Sequence, residues 1–380
     1  MRKKVLIGLI ISALANIPAA GFAATANTAS DPWTFSGDVR LRFDKQANFN
    51  KDDFDASKYR IRLNAGYKFS SEWRFDTRIT VGESLFSTGP KSTTGYTTVP
   101  DDVQIDIASL TYKQPDWSAT MGRQKFTIFE GLAVSMDDGH NVGDAGYSAA
   151  DNRPDGGRAR NYPGLQGVKL QNKSGRVNFT SFYGNLNDRN DNGANYNVKG
   201  IAVMTPIDKV NVGAMWYTTD SPIFGSDLTT YKLLKNGNKT GYSITANTKL
   251  FKNYLYTGTE YIWGLADDHD KAWKLIARTP ATKKPGDMQY SVEYRDIQQY
   301  ALDYSSYIGT TSYNGLSSAY KSISYGDYTY WGVTAKRQLT KNTSASLFYE
   351  KYNPQSHGST ANGKSQVEDN VYRLQVDVSF

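Results

Sequence analysis

The last thirteen residues, Glu368-Asp-Asn-Val-Tyr-Arg-Leu-Gln-Val-Asp-Val-Ser-Phe380, decide the fold. Tyr372, Leu374, Val376, Val378 and Phe380 alternate with Arg373, Gln375, Asp377 and Ser379. Side chains on a strand point to opposite faces in turn, so this segment is a strand with one apolar and one charged face. A soluble sheet would leave the charged face against water and the last strand as an open edge. A closed sheet with lipid outside and water inside satisfies both faces and has no edge.

The same alternation recurs back to Trp33. In 33–44, Phe35, Gly37, Val39, Leu41 and Phe43 face one way, and Ser36, Asp38, Arg40, Arg42 and Asp44 the other. In 58–69, Tyr59, Ile61, Leu63, Ala65, Tyr67 and Phe69 alternate with Arg60, Arg62, Asn64 and Lys68. In 73–82, Trp73, Phe75, Ile79 and Val81 alternate with Arg74, Asp76, Arg78 and Thr80. Three consecutive strands thus put arginine on the inner face, where a lumen supplies water. Continuing predicts sixteen strands: 33–44, 58–69, 73–82, 102–113, 117–126, 164–172, 176–186, 195–205, 209–218, 239–250, 254–263, 270–279, 286–297, 325–339, 342–352 and 368–380. A phase change near Ile107-Ala108 predicts a bulge.

The connections alternate in length. One set is short, as at Ser70-Ser71-Glu72, Gln114-Pro115-Asp116 and Lys173-Ser174-Gly175. The other is mostly long: 45–57, 83–101, 127–163, 219–238, 298–324 and 353–367, with 187–194 and 264–269 shorter. Short turns on one side and long loops on the other are the pattern of transmembrane barrels. Trp33, Trp73 and Trp117 each open a strand leaving the short-turn side, which predicts an aromatic girdle at that rim. The expected fold is therefore all-β: one transmembrane antiparallel barrel over 24–380.

Residues 1–23 are set apart. Arg2, Lys3 and Lys4 precede an apolar run from Val5 to Ala15, and Ala20-Gly21-Phe22-Ala23 offers small residues for cleavage. This reads as a signal peptide. The run is broken by Asn16 and Pro18 and falls short of the roughly 20 apolar residues a spanning helix needs. The chain has no Cys, which excludes a disulfide framework and a lipoprotein anchor. The formal net charge of +7 includes the three leader bases, too small a bias to point to nucleic acid. Aromatic residues make up 13% with 27 Tyr, yet the mean hydropathy is −0.58, which suits a surface half in lipid and half in water.

No catalytic set, cofactor motif or metal site stands out. The three histidines, His140, His269 and His357, all lie in connections. Asp267-Asp268-His269-Asp270 lacks the glycine and terminal glutamate of a calcium loop, and Asp52, Asp53 and Asp55 are no better placed. An outer-membrane protease or lipase, which needs a nucleophile set at a rim, finds little support.

The segment Met121-Gly122-Arg123-Gln124, the long connection after strand five and the sixteen-strand count resemble the general bacterial porins of Gram-negative outer membranes. The terminal Phe380 is similar to the C-terminal aromatic that such proteins present to the barrel assembly machinery. The resemblance implies a homotrimer in outer-membrane lipid whose third outer loop folds into the barrel and narrows the pore. That loop would be 127–163, which carries Asp137, Asp138, Asp144, Asp151 and Asp155, then Arg153, Arg158 and Arg160. Facing it, Arg40, Arg42, Arg60, Arg62, Arg74 and Arg78 would form a basic wall. Opposed charge across a wet constriction sets up a transverse field that sorts ions and small hydrophilic solutes. Passive diffusion is the expected function. A solute-selective channel for anions is the alternative that the basic wall suggests, and an adhesin acting through 298–324 and 353–367 is a third.

Overall fold

The computed structural model describes residues 31–48, 51–88, 104–136, 165–185, 197–219, 223–224, 233–235, 239–265, 270–298, 301, 328–354 and 369–380. Sixteen long strands close into an antiparallel barrel. They are β1 (Trp33–Asn48), β2 (Lys51–Lys68), β3 (Trp73–Thr88), β4 (Gln104–Lys113), β5 (Trp117–Gln124), β8 (Leu165–Ser174), β9 (Val177–Asn185) and β10 (Asn197–Ile207) in the first half. The second half has β11 (Val210–Thr219), β14 (Lys239–Leu250), β15 (Leu255–Trp263), β16 (Ala272–Arg278), β17 (Met288–Ile297), β18 (Tyr328–Gln338), β19 (Thr343–Pro354) and β20 (Asp369–Ser379). Two short pairs stand outside the wall: β6 (Phe126–Thr127) with β7 (Ser135–Met136), and β12 (Ile223–Phe224) with β13 (Leu233–Lys235).

Each expected strand is present, and the closing segment does close the barrel. β20 pairs with β1 from Asp38↔Ser379 to Asn48↔Asp369, and Phe380 N–H donates to Gly37 O at 3.0 Å. The expected bulge lies one residue early. Arg78 pairs with Ile107 and Ile79 with Ile105, which leaves Asp106 as the extra residue.

The expected loop 45–57 is corrected. β1 and β2 stay paired to Asn48↔Lys51, so this connection is a hairpin that continues the wall. β3 likewise runs to Thr88, past the expected end at Gly82. Hydrophobic alternation marks where a strand meets lipid. Beyond the lipid the backbone still pairs, but the outward side chains become polar and the period vanishes. Strand five ends at Gln124, and Phe126 belongs to the separate inward pair.

The outward face is apolar and exposed, as at Phe35 (64%), Leu63 (51%) and Leu347 (61%). A continuous patch of this kind is a membrane surface. At the short-turn rim Trp33 packs on Tyr67 with centroids 4.6 Å apart, and Tyr112 lies between Trp73 (4.8 Å) and Trp117 (5.2 Å), as the girdle requires. The other rim has Tyr294 between Trp273 and Trp331 at 4.8 and 4.6 Å.

Candidate functional site

Two parts of the inner wall carry the features that could act. The first spans β20, β1, β2 and β3. Register places Arg40 opposite Arg60 on one side and Asp377 on the other. Arg40 Nε donates to Asp377 Oδ1 at 2.7 Å. Asp38 is shared: Oδ2 accepts from Arg62 Nε at 2.7 Å and Oδ1 from Arg60 Nη2 at 3.2 Å. Arg42 reaches Gln375 Oε1 at 3.0 Å, and the Gln375 amide donates to Asp377 Oδ2 at 2.6 Å. Arg42, Arg60 and Arg78 are buried inside the barrel. Arg40, Arg42, Arg60, Arg62 and Arg78 outnumber the two carboxylates that pair with them here, Asp38 and Asp377, so this stretch of wall is formally cationic.

Five of the six predicted wall arginines are brought onto this stretch. Arg74 is apart: it sits at the start of β3 and binds Asp76 at 2.7 Å, with Thr34 Oγ1 at 3.4 Å. Asp38 and Asp76 both pair with arginines. Asp377 was not singled out from sequence, although its inward parity on the closing strand was visible.

The second part is the root of the connection after β5. At Gly122 φ is +103°, and an added Cβ would meet Ala108 O at 2.3 Å, so only glycine allows this close approach of β4 and β5. Beyond Gln124 the chain enters the lumen as the β6–β7 hairpin, with Phe126↔Met136 and Thr127↔Ser135 in register. The apolar side chains of Phe126, Ile128, Leu132 and Val134 are buried against Phe182, Met215, Tyr217 and Ile262 of the inner wall. Each such burial contributes roughly 1.5–3 kcal/mol, against the entropy of ordering the segment.

A single carboxylate fastens this hairpin. Glu260 of β15 is fully buried. Its Oε2 accepts the N–H groups of Glu130 at 3.1 Å and Leu132 at 2.9 Å, and its Oε1 accepts Ala133 N–H at 3.2 Å and Ser243 Oγ–H at 2.8 Å. The turn at Phe129–Gly131, both with positive φ, aims these successive N–H groups at one point. Lys274 Nζ adds a bond to Glu130 O at 2.7 Å. The Glu130 side chain accepts from Tyr256 Oη and, at 3.4 Å, from Asn247 Nδ2. Two glycines make room: a Cβ on Gly213 would lie 2.7 Å from the Phe129 ring, and one on Gly258 2.6 Å from Glu130 Cδ.

From Glu260 a charged belt runs on through Lys274, Glu293 and Arg295, with Arg295 4.9 Å above the Tyr330 ring and Tyr330 Oη 3.3 Å from Glu350. None of Glu130, Glu260, Lys274 or Glu293 was legible beforehand. Inward parity was the available signal for the strand residues, and Glu130 had none.

β14 lies eight strands round the barrel from β2, so the hairpin is seated against the wall opposite the arginines. The predicted loop residues Asp137, Asp138, Asp144, Asp151, Asp155 and Arg158 lie outside the described residues, as do His140, Asp267, Asp268, His269 and His357. Among the described residues no group of three or more His, Cys, Asp or Glu could hold a metal ion.

By sequence, no protein-family model and no curated protein matches the chain. Solved structures do match. The in-vitro folded trimer form of OmpT, an outer membrane protein of Vibrio cholerae, aligns with a TM-score of 0.51 at 13% identity, covering 92% of this chain and 100% of that one. A loop-deletion mutant of OmpT aligns at 0.50 and 11% identity with the same coverage. A triple mutant of the Rhodopseudomonas blastica porin aligns at 0.49 and 10% identity, again over 92% and 100%. The closed sixteen-stranded antiparallel barrel of this chain is the fold of these outer-membrane barrels.

Proposed function

We propose that this protein is an outer-membrane porin, a water-filled channel for passive diffusion of ions and small hydrophilic solutes. The observation that carries the reading is the charged inner face of a closed barrel, where Arg40 and Arg62 are partly exposed and ion-paired with Asp377 and Asp38. Desolvated guanidinium groups are costly, whereas a wet lumen with partial ion pairing accommodates them. Sixteen strands leave an interior wide enough for an aqueous path. The inward hairpin fills one side of that interior and directs the path along the arginines. In this reading residues 1–23 are the export signal, Phe380 serves the barrel assembly machinery, and the protein works as a homotrimer. Asp137, Asp138 and Asp144 are the candidate acidic edge facing Arg40, Arg60, Arg62 and Arg78, and no part of the barrel is assigned a catalytic role.

The arginine wall also favours a second reading, a channel selective for anions such as phosphate or organic acids. Liposome swelling separates the two. A general channel admits neutral sugars at rates falling smoothly with size. Swelling with organic anions but not with small neutral sugars would replace it by the selective channel.

A further inference from the structure

The short-turn end of the barrel has a charge pattern that the arginine wall does not explain. Eight strands descend to this end: β2, β4, β8, β10, β14, β16, β18 and β20. In six of them a late inward-facing side chain is basic: Lys68, Lys113, Lys173, Lys249, Arg278 and Lys336. Their direction follows from outward neighbours, since Leu170, Leu250, Leu275 and Val333 are exposed to lipid on the alternate positions. Register links them round the mouth through short polar partners, Lys113↔Ser118, Lys173↔Asn178, Arg278↔Ser291 and Lys336↔Ser346. Five of the six are exposed and Lys336 is half-exposed.

Inward carboxylates near this layer are few among the described residues. Asp76 is paired with Arg74 and Asp377 with Arg40, while Glu130 reaches the layer from the hairpin and is held by Tyr256. Of the turn acids, Glu72 binds Ser70 and Ser71 and Asp287 binds the Lys283 and Lys284 N–H groups, while Asp116 and Asp208 share this rim with Arg176, Lys209, Lys252 and Lys341. The collar is therefore cationic, and it lies at the opposite end of the barrel from the long connections.

We propose that this collar is a second selectivity element, which gathers small anions at the periplasmic mouth and makes the channel electrically asymmetric. The inference rests on the channel reading above. Short turns face the periplasm in bacterial barrels, which sets the side. Exposed lysines act through the potential they project across the mouth, and that reach depends on the salt bathing them. It is about 10 Å at 0.1 M and about 3 Å at 1 M. Anions are enriched at the mouth when the dilute solution is on that side, and the enrichment collapses when the concentrated solution is there.

The test is the reversal potential of the full-length mature protein in planar bilayers, with 0.1 M and 1 M potassium chloride in both orientations. The chain has no Cys, so a single Ser71→Cys change in the first short turn reports orientation by reaction with an impermeant thiol reagent. The expected anion-to-cation permeability ratio is about twofold or more higher with dilute salt at the short-turn side. Combined K68Q, K113Q, K173Q, K249Q, R278Q and K336Q removes the difference between orientations. The set with arginine at the five lysines keeps it. A conducting channel with equal ratios in both orientations overturns the collar alone, whereas a barrel that never conducts overturns the channel reading as well.

Discussion

Glu260 and Leu132 are 128 residues apart in sequence, yet the Glu260 carboxylate accepts the Leu132 N–H at 2.9 Å inside the barrel. This bond and its neighbours turn an inward excursion of chain into part of the wall. Glu260→Gln presents an amide N–H₂ to backbone donors and leaves at least one of them unsatisfied. The expected cost is about 2–4 kcal/mol, read as a lower melting temperature in detergent. Single-channel currents should become noisier as the hairpin loses its fixed position, and Glu260→Asp, one methylene short, should fall between.

The sockets at Gly213 and Gly258 give a complementary prediction. Gly213→Val puts methyl groups where the Phe129 ring lies 2.7 Å from an added Cβ. Overpacking of this kind costs about 1–3 kcal/mol. Phe129→Ala in the same chain should recover part of the loss, and a double-mutant cycle in thermal stability measures that coupling. Additive effects would mean that the ring does not occupy the socket.

Much of this barrel could be read in the chain, for a reason visible in β1. Phe35, Val39 and Phe43 meet lipid while Asp38, Arg40 and Arg42 meet the lumen, so the two solvents write period two directly into the sequence. The reading failed where lipid ends. The 45–57 hairpin is strand without an apolar face, and so was taken for loop. The hairpin clamp was hidden for a different reason. Glu260 binds backbone N–H groups of Glu130, Leu132 and Ala133, and a side chain bound to backbone leaves no complementary residue type to search for.

Asp377 should matter twice. Its ion pair with Arg40 at 2.7 Å ties the last strand to the first. Asp377→Asn keeps the shape but removes one negative charge from the arginine wall. The reversal potential should move toward anions, and Arg60→Gln should move it toward cations. Shifts of equal sign for both variants would show that the wall charge does not govern the permeating ions.

The turn at Lys283–Asp287 provides a pH prediction. The Asp287 carboxylate accepts the N–H groups of Lys283 at 2.9 Å and Lys284 at 2.8 Å. These bonds hold its pKa below the ordinary 3.8. A depressed folded-state pKa contributes stability above the unfolded value and loses it as pH falls through the folded one. Asp287→Ala should therefore be less stable than the parent at pH 7, and the two should converge as pH drops below the usual aspartate range. A difference that persists unchanged in acid would assign it to packing instead of to the charge.

The central claim is a wet path through the barrel along the arginine wall. Single-channel recording of the purified, refolded protein in planar bilayers tests it most directly. The account predicts discrete, stepwise conductance that scales with bulk salt, and a shift in ion selectivity when Arg40, Arg60 and Arg62 are replaced together by glutamine. A folded barrel that inserts and stays silent at every salt concentration would contradict it.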